Sequence, residues 1–355
     1  MKILHVITSL RAGGAEKLMV DLLPRLRALG NDVELLLFDG TQTIFYNQLE
    51  QTGIKIHHLS IRSNVYNPLN IIRLINYIKK YDIVHTHNTA CQYFLPLAKS
   101  LSNSKSKLFT TEHSTNNRRR GYKIFKTIDK FIYNKYTGII SISRKATESL
   151  THFIGPNIKV ITIENGVDVT KYSQLKQIDF CELDKIITMV AGFREAKDQD
   201  TLIRAISLLP DNYKLWLVGD GERSNILENL VYELGISNRV KFWGIQSDIP
   251  QILEQSHIVV LSSHWEGFGL AAVEAMASAR PTIVSNVDGL REIVKEYGIL
   301  FPPQDYKTLA KKIKSLCENQ EKYNQIAQSC QERAKQFDIN ITAEKYNNLY
   351  HEIIQ

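Results

Sequence analysis

Short apolar runs alternate with segments of helical period along this chain, and the rhythm starts afresh near its middle. In the first half, Ile3–Thr8, Val33–Phe38, Ile83–Thr86, Leu108–Thr111 and Gly138–Ser141 read as buried strands. The segments between them carry helical spacing, as in Leu18, Leu22, Leu26 and Leu29. The second half repeats the pattern with IITMVAG, KLWLVGDG, RVKFWG, IVVLSS and PTIVS, each followed by a helical stretch. Such alternation packs as a parallel sheet with crossover helices. A restart predicts two α/β domains of Rossmann-like type. An Asn-Gly turn at Asn165 and Gly166 marks the joint, giving an N-terminal domain over 1–168, a C-terminal domain over 169–337 and a last helix over 338–355.

A length of 355 residues suits two such domains better than one core. The four cysteines, Cys91, Cys181, Cys317 and Cys330, stand far apart without a CxxC pair. They offer neither a disulfide scaffold nor a metal framework and suit a reducing compartment. The apolar N-terminus is short for a signal peptide, and no run approaches a membrane span. The expectation is a cytoplasmic protein, peripheral at the inner face of the cell membrane if it meets one.

The net charge is +7, and the excess of Lys and Arg lies in the first 170 residues. That asymmetry points to an anionic partner for one domain. Residues 118–135 carry Arg118, Arg119, Arg120, Lys123, Lys126, Lys130 and Lys135 against Asp129 alone. Ile124, Phe125, Ile128, Phe131 and Ile132 recur among them at helical spacing. Two readings stay open: a core-facing helix with a solvated basic face, and a docking surface for anionic membrane. Nucleic acid is disfavoured, because no stacking module or groove-reading motif accompanies the charge.

In open α/β sheets, ligands bind at the carboxyl ends of strands, so the strand–helix loops carry the chemistry. After the first strand, Gly13 and Gly14 open a helix, where backbone N–H groups and the dipole favour an anion. Glu112 and His113 stand at a later strand tip; His85 and His87 read as packing or capping residues. Arg194 and Lys197 lie where cations could clamp a diphosphate. Asp198 and Asp200 form a DxD, but they directly precede the helical run Leu202, Ile203, Ala205, Ile206 and Leu209. Capping explains the pair better than a metal, and no metal is expected. In LVGDGER the glycines Gly219 and Gly221 read as turn residues, and Ser224 in place of a third glycine disfavours NAD. In HWEGFGLAAVEAMA, Glu266 precedes a helix that Gly267 and Gly269 open. Glu274 falls inside it among apolar neighbours, where a carboxylate needs a partner; a ribose diol would serve.

Taken in order, these motifs resemble the retaining glycosyltransferases of the GT-B fold, family 4 (glycosyl transferases group 1). The likeness covers nearly the whole chain and centres on EGFGLAAVE, the E-x7-E signature of that family. It implies two facing Rossmann-like domains with an interdomain cleft, the nucleotide held mainly by the second, and a last helix crossing back to the first. It implies that Glu274 binds the ribose and Glu266 the donor sugar. Gly267, Phe268, Gly269 and Leu270 would line phosphate and sugar, the last three through backbone N–H groups. Lys197 would neutralise the diphosphate, Gly14 would approach it beside Gly13, and His113 would touch the sugar. The catalytic set so implied is His113, Lys197 and Glu266. The family's Arg, five residues before the Lys, is Gly192 here, with Arg194 two positions later.

The implied activity is metal-independent hexosyl transfer, without a cofactor, from a UDP- or GDP-linked sugar. The acceptor would be a hydroxyl of a lipid-linked or growing surface glycan. Two other readings stay open: a catalytically degenerate subunit acting as a membrane-associated assembly partner, and a nucleotide-sugar epimerase.

Overall fold

The computed structural model describes residues 1–62, 64–115, 118–176, 178, 180 and 182–354. Cys181 and the side chains of Arg118, Arg119 and Lys123 lie outside the described residues. The chain divides into two compact units, Met1–Gly166 with Ile339–Gln355, and Val167–Asp338.

The first unit is built on β1 (Lys2–Ile7), β2 (Asp32–Asp39), β3 (Lys55–Ser60), β4 (Ile83–His87), β5 (Lys107–Glu112), β6 (Gly138–Ser141) and β7 (Val160–Thr162). They pair in parallel in the order β3-β2-β1-β4-β5-β6-β7. Both faces of this sheet are covered, which is why its central strands read as nearly continuous apolar runs. Ile3 and Ile7 of β1 enter one core with the helices Gly14–Ala28 and Ile339–Ile354. Leu4 and Val6 enter the other with the helices Leu69–Ile78 and Thr89–Ser102.

In the Gly14–Ala28 helix the stripe Leu18, Leu22 and Leu26 is fully buried. Leu29, read with them, caps the helix and is exposed. The last helix buries Ile339, Ala343, Tyr346, Leu349 and Tyr350 in the same core, while Ile354 stays exposed.

The second unit holds β8 (Lys185–Val190), β9 (Tyr213–Val218), β10 (Val240–Gly244), β11 (Ile258–Leu261), β12 (Thr282–Ser285) and β13 (Ile299–Phe301). Their order is β10-β9-β8-β11-β12-β13, again parallel. In each sheet the order reverses once at the first strand, between β1 and β4 and between β8 and β11. Crossover helices leave in opposite directions there, so the loops part and open a crevice at the strand ends.

The helix Lys123–Tyr133 departs from the core-facing expectation. Ile132 is buried and Phe125 half-buried, but Ile124, Ile128 and Phe131 are exposed, as is Tyr122 beside them. Its one acid, Asp129, turns inward and is buried, with Tyr93 donating to it. Arg120 also departs from the basic surface expected over 118–135. Its guanidinium lies 3.2 Å from Glu112, donates to Ser149 Oγ at 2.7 Å and is only 12% exposed. Glu112 is buried at the tip of β5, and a buried carboxylate needs such a partner. No helix of the described residues is long and apolar enough to cross a membrane.

Candidate active site

At the switch point of the second unit, two loops are tied into one surface. The loop after β8 runs through Arg194 and a short 3-10 turn, Glu195–Lys197, to Asp198, whose φ of 48° is left-handed. Asp198 caps the Gln199–Ser207 helix, accepting from Thr201 N at 3.3 Å and Thr201 Oγ1 at 2.7 Å. Burial pushes its carboxyl up from the ordinary range, against those hydrogen bonds and the nearby His264. Asp200 holds Arg223 through both carboxylate oxygens at 2.9 Å. The DxD pair is thus engaged in capping and ion pairing.

The loop after β11 is sewn to this one. Ser262 Oγ donates to Asp198 O at 2.7 Å, and His264 N donates to Ala196 O at 2.8 Å. These bonds bring Lys197 and Glu266 together, and the ammonium pairs with Glu266 Oε1. Ser263 Oγ donates to the same oxygen at 3.2 Å. Behind them Gly269, at φ 100°, caps the helix Leu270–Ala277. Ala272 N and Val273 N donate back to Gly269 O at 2.9 and 3.3 Å, and the Leu270 and Ala271 N–H groups open the helix, a kind of terminus that seats phosphate oxygens. Phe268 is buried and packs edge-on against Phe337 at 5.5 Å, fixing the loop between Gly267 and Leu270. Glu274, one helical turn further in, is 5% exposed, so its carboxylate is buried as its apolar neighbours foretold.

Gly289 is a supporting residue that sequence reasoning missed. Its φ is 88°, and a Cβ there would stand 2.6 Å from Glu266 O. The left-handed backbone and the close approach both demand glycine. The glycines of LVGDGER serve a related end. A Cβ on Gly219 would meet Ala191 O at 2.1 Å, and one on Gly221 would meet Phe193 O at 2.4 Å. Gly219, at φ 141°, also needs glycine's backbone freedom, whereas Gly221 is required by packing against the β8 loop. Gly192 is open, and a side chain begun there would lie 3.8 Å from Arg194 Nε.

At the switch point of the first unit, Gly13 is extended and caps the Gly14–Ala28 helix. Glu16 folds its carboxylate over Gly13 and accepts from Asn88 Nδ2 at 3.1 Å. Asn88 also donates to Thr8 Oγ1 at 3.0 Å. Its φ of 71° and ψ of 153° form a conformation that glycine alone adopts readily. His113 follows β5, and its Nε2 lies 2.9 Å from His87 Nδ1. Burial pulls the His113 pKa down to about 4, so the ring is neutral at ordinary pH. His87 was read as packing, and it is buried; its contact with His113 was not legible from spacing.

Two doubly wound parallel sheets with glycine-opened loops at their switch points define a GT-B-type protein. The solved structure of Anabaena HepE in complex with UDP and glucose has this fold. It superposes with a TM-score of 0.88 at 22% identity, covering 99% of this chain and all of that one. Residues 172–333 match the family described as glycosyl transferases group 1, and residues 12–171 match glycosyltransferase family 4. The chain belongs to this glycosyltransferase family. Among relatives, N-acetyl-alpha-D-glucosaminyl L-malate synthase of Bacillus anthracis is 27% identical over 290 residues, 77% of this chain and 75% of that protein. A second is the UDP-Gal:alpha-D-GlcNAc-diphosphoundecaprenol alpha-1,3-galactosyltransferase of Escherichia coli. It is 26% identical over 320 residues, 84% of this chain and 82% of that one.

Proposed function

We propose that this glycosyltransferase is a retaining, metal-independent hexosyltransferase that moves a sugar from a nucleoside diphosphate to a hydroxyl of a lipid-linked glycan. The observation that carries the reading is the pairing of Lys197 with Glu266 beside the buried Glu274, at the β8–β11 switch point. Glu274 takes the ribose hydroxyls. The N-terminus of the Leu270–Ala277 helix and Lys197 take the diphosphate, and Arg194 adds a second cation. Uridine is the favoured base; the solved complex of HepE with UDP and the UDP-Gal-dependent relative support it.

In the reaction, the bond between the sugar's anomeric carbon and the diphosphate oxygen breaks. The acceptor oxygen bonds to that carbon from the same face, and its proton passes to the departing diphosphate. Negative charge grows on the leaving group, and the prearranged Lys197 and helix N–H groups stabilise it without reorganising. Glu266 holds the sugar.

The exposed side of the Lys123–Tyr133 helix supports the choice of a lipid-linked acceptor. Exposed Tyr122, Ile124, Ile128 and Phe131 stand beside exposed Lys126, Lys130 and Lys135. That combination suits an interface with anionic lipid, each cation contributing roughly 1 kcal/mol. The test is transfer from UDP-hexoses to undecaprenyl-diphosphate-linked GlcNAc in anionic vesicles, with the product's anomeric configuration read by NMR. An α-linked product from an α-linked donor is expected. Inversion, or no transfer with any nucleotide sugar, would overturn the proposal.

A further inference from the structure

Inside the first unit, four histidines from three adjacent strands lie on one face of the sheet. His5 of β1, His85 and His87 of β4, and His113 after β5 occupy the side covered by the last helix. His85 is tied off separately: its Nδ1 lies 2.5 Å from Tyr350 Oη and its Nε2 2.8 Å from Thr111 Oγ1. The other three form a line. His5 Nδ1 is 2.9 Å from His87 Nε2, and His87 Nδ1 is 2.9 Å from His113 Nε2. At the ends of this line, His5 Nε2 and His113 Nδ1 are buried and have no hydrogen-bond partner among the described residues.

The nitrogens of His5, His85 and His87 lie within 4.8 Å of one another, near enough for a metal ion. Every one of them except His5 Nε2 is already hydrogen bonded, so a metal would have to break that pattern. The pattern therefore has to be explained as hydrogen bonding. Burial holds all three rings of the line neutral, with His5 near 3, His113 near 4 and His87 well below its ordinary value. A neutral imidazole has one N–H and one lone pair. Fixing the proton on one ring then fixes it on all three.

Two polarities are available. In one, His113 donates inward from Nε2 and the line ends in a buried His5 Nε2–H with no acceptor. In the other, His5 donates from Nδ1, His87 donates from Nδ1, and the inner end is only a bare lone pair. Each polarity leaves one buried N–H without an acceptor in the protein, at His5 Nε2 in the first and at His113 Nδ1 in the second, and only the second places it at the carboxyl tip of a strand, where a ligand oxygen can accept it. The second polarity leaves His113 with its proton on Nδ1, the atom that has no partner within the protein.

We infer that His5 and His87 are positioning residues that fix His113 in the Nδ1–H tautomer, so that it donates a hydrogen bond to a hydroxyl oxygen of a bound sugar. This rests on the reading that the protein is a glycosyltransferase in which His113 meets a sugar hydroxyl. Free histidine favours the opposite tautomer, so the relay has a measurable signature that does not depend on activity.

The experiment is 15N NMR of protein labelled in histidine, with His113 assigned by His113→Gln. Wild type is expected to show His113 protonated at Nδ1 and bare at Nε2. In His87→Phe the ring loses its donor and turns to Nε2–H. In His87→Gln, whose amide can both accept and donate, the wild-type tautomer returns. Turnover of a nucleotide sugar should fall roughly tenfold in His87→Phe and recover in His87→Gln. The thermal shift given by UDP alone should be the same in all three. A wild-type His113 protonated at Nε2 overturns the inference, and this outcome stands even if His87→Phe does not fold. So does a folded His87→Phe with unchanged tautomer and turnover. Failure of wild type to respond to any nucleoside diphosphate would count against the transferase reading, leaving the tautomer measurement to decide the relay.

Discussion

Lys197 and Glu266, sixty-nine positions apart, meet as an ion pair because Ser262 and His264 stitch the β11 loop to the β8 loop. The pair places a cation where a diphosphate would arrive and a carboxylate where its sugar would lie. Replacing Lys197 with Ala should lower kcat by about a hundredfold or more, the scale seen when a preorganised charge-stabilising group is lost. Glu266→Gln should keep UDP binding and lose turnover. Steady-state kinetics with calorimetry for UDP checks both; a Lys197→Ala enzyme within twofold of wild type would contradict the assignment.

In the proposed function Arg194 supplies the second cation, in place of the arginine that the family resemblance puts at the position of Gly192. A side chain built on Gly192 would begin within van der Waals reach of the Arg194 guanidinium, so the two positions share one space. Arg194→Ala should raise the donor KM about tenfold, the order of one charge-assisted hydrogen bond. Adding Gly192→Arg to that variant should recover most of the loss. An unchanged KM in Arg194→Ala would remove this residue from the site.

Gly289 supports Glu266 from behind. Alanine there would need a left-handed backbone and would press on the Glu266 carbonyl at 2.6 Å. Gly289→Ala should cost about 1–3 kcal/mol in stability. It should also lower kcat more than its modest effect on Tm would suggest, because Glu266 is displaced. Denaturant melts and kinetics on the same preparation separate the two effects.

Stability should fall on mild acidification. His5, His85 and His87 are fully buried and their folded pKa values are depressed, His5 to about 3, chiefly by burial. The unfolded chain therefore binds protons below pH 6.5 that the native state does not. The stabilisation is complete above that value and is lost as pH falls toward the folded pKa values. Each ring contributes a slope of up to about 1.4 kcal/mol per pH unit in that window. Glu34 and Asp39, whose carboxyls are held below their ordinary range by hydrogen bonds and neighbouring cations against burial, add their loss only at lower pH. Urea melts from pH 8 to pH 5 should show a plateau and then a decline; a flat profile would contradict the buried neutral histidines.

Most strands legible in the sequence are buried on both faces, although Val240–Gly244, read from RVKFWG, is a partly exposed edge strand. Val33–Phe38 and Ile258–Leu261 announce themselves because neither side meets water. The strands that escaped are at or near sheet edges. Lys55–Ser60 carries His57 and His58 on partly exposed faces, and Val160–Thr162 and Ile299–Phe301 are three residues each. Glu274 could be singled out because a carboxylate among Ala, Val and Met contradicts its surroundings, and burial is the consequence. The histidine line could not, since His5, His87 and His113 become neighbours only through the pairing of β1, β4 and β5. Sequence spacing records contacts along an element and is blind to register between elements. The exposed side of the Lys123–Tyr133 helix was ambiguous for a related reason. Its apolar residues cover more than one face, and only packing decides which ones turn outward.

The central claim is that the second unit holds a nucleoside diphosphate on Glu274 and the neighbouring loops. The most direct measurement is the Tm of the purified protein with UDP, GDP and ADP, run in parallel on Glu274→Ala. A ligand at a hundred times its Kd stabilises the native state by about 2.7 kcal/mol, a shift of several degrees. The account predicts such a shift with UDP in wild type and its disappearance in the variant. An equal shift in the folded variant, or none with any nucleotide in wild type, would contradict it.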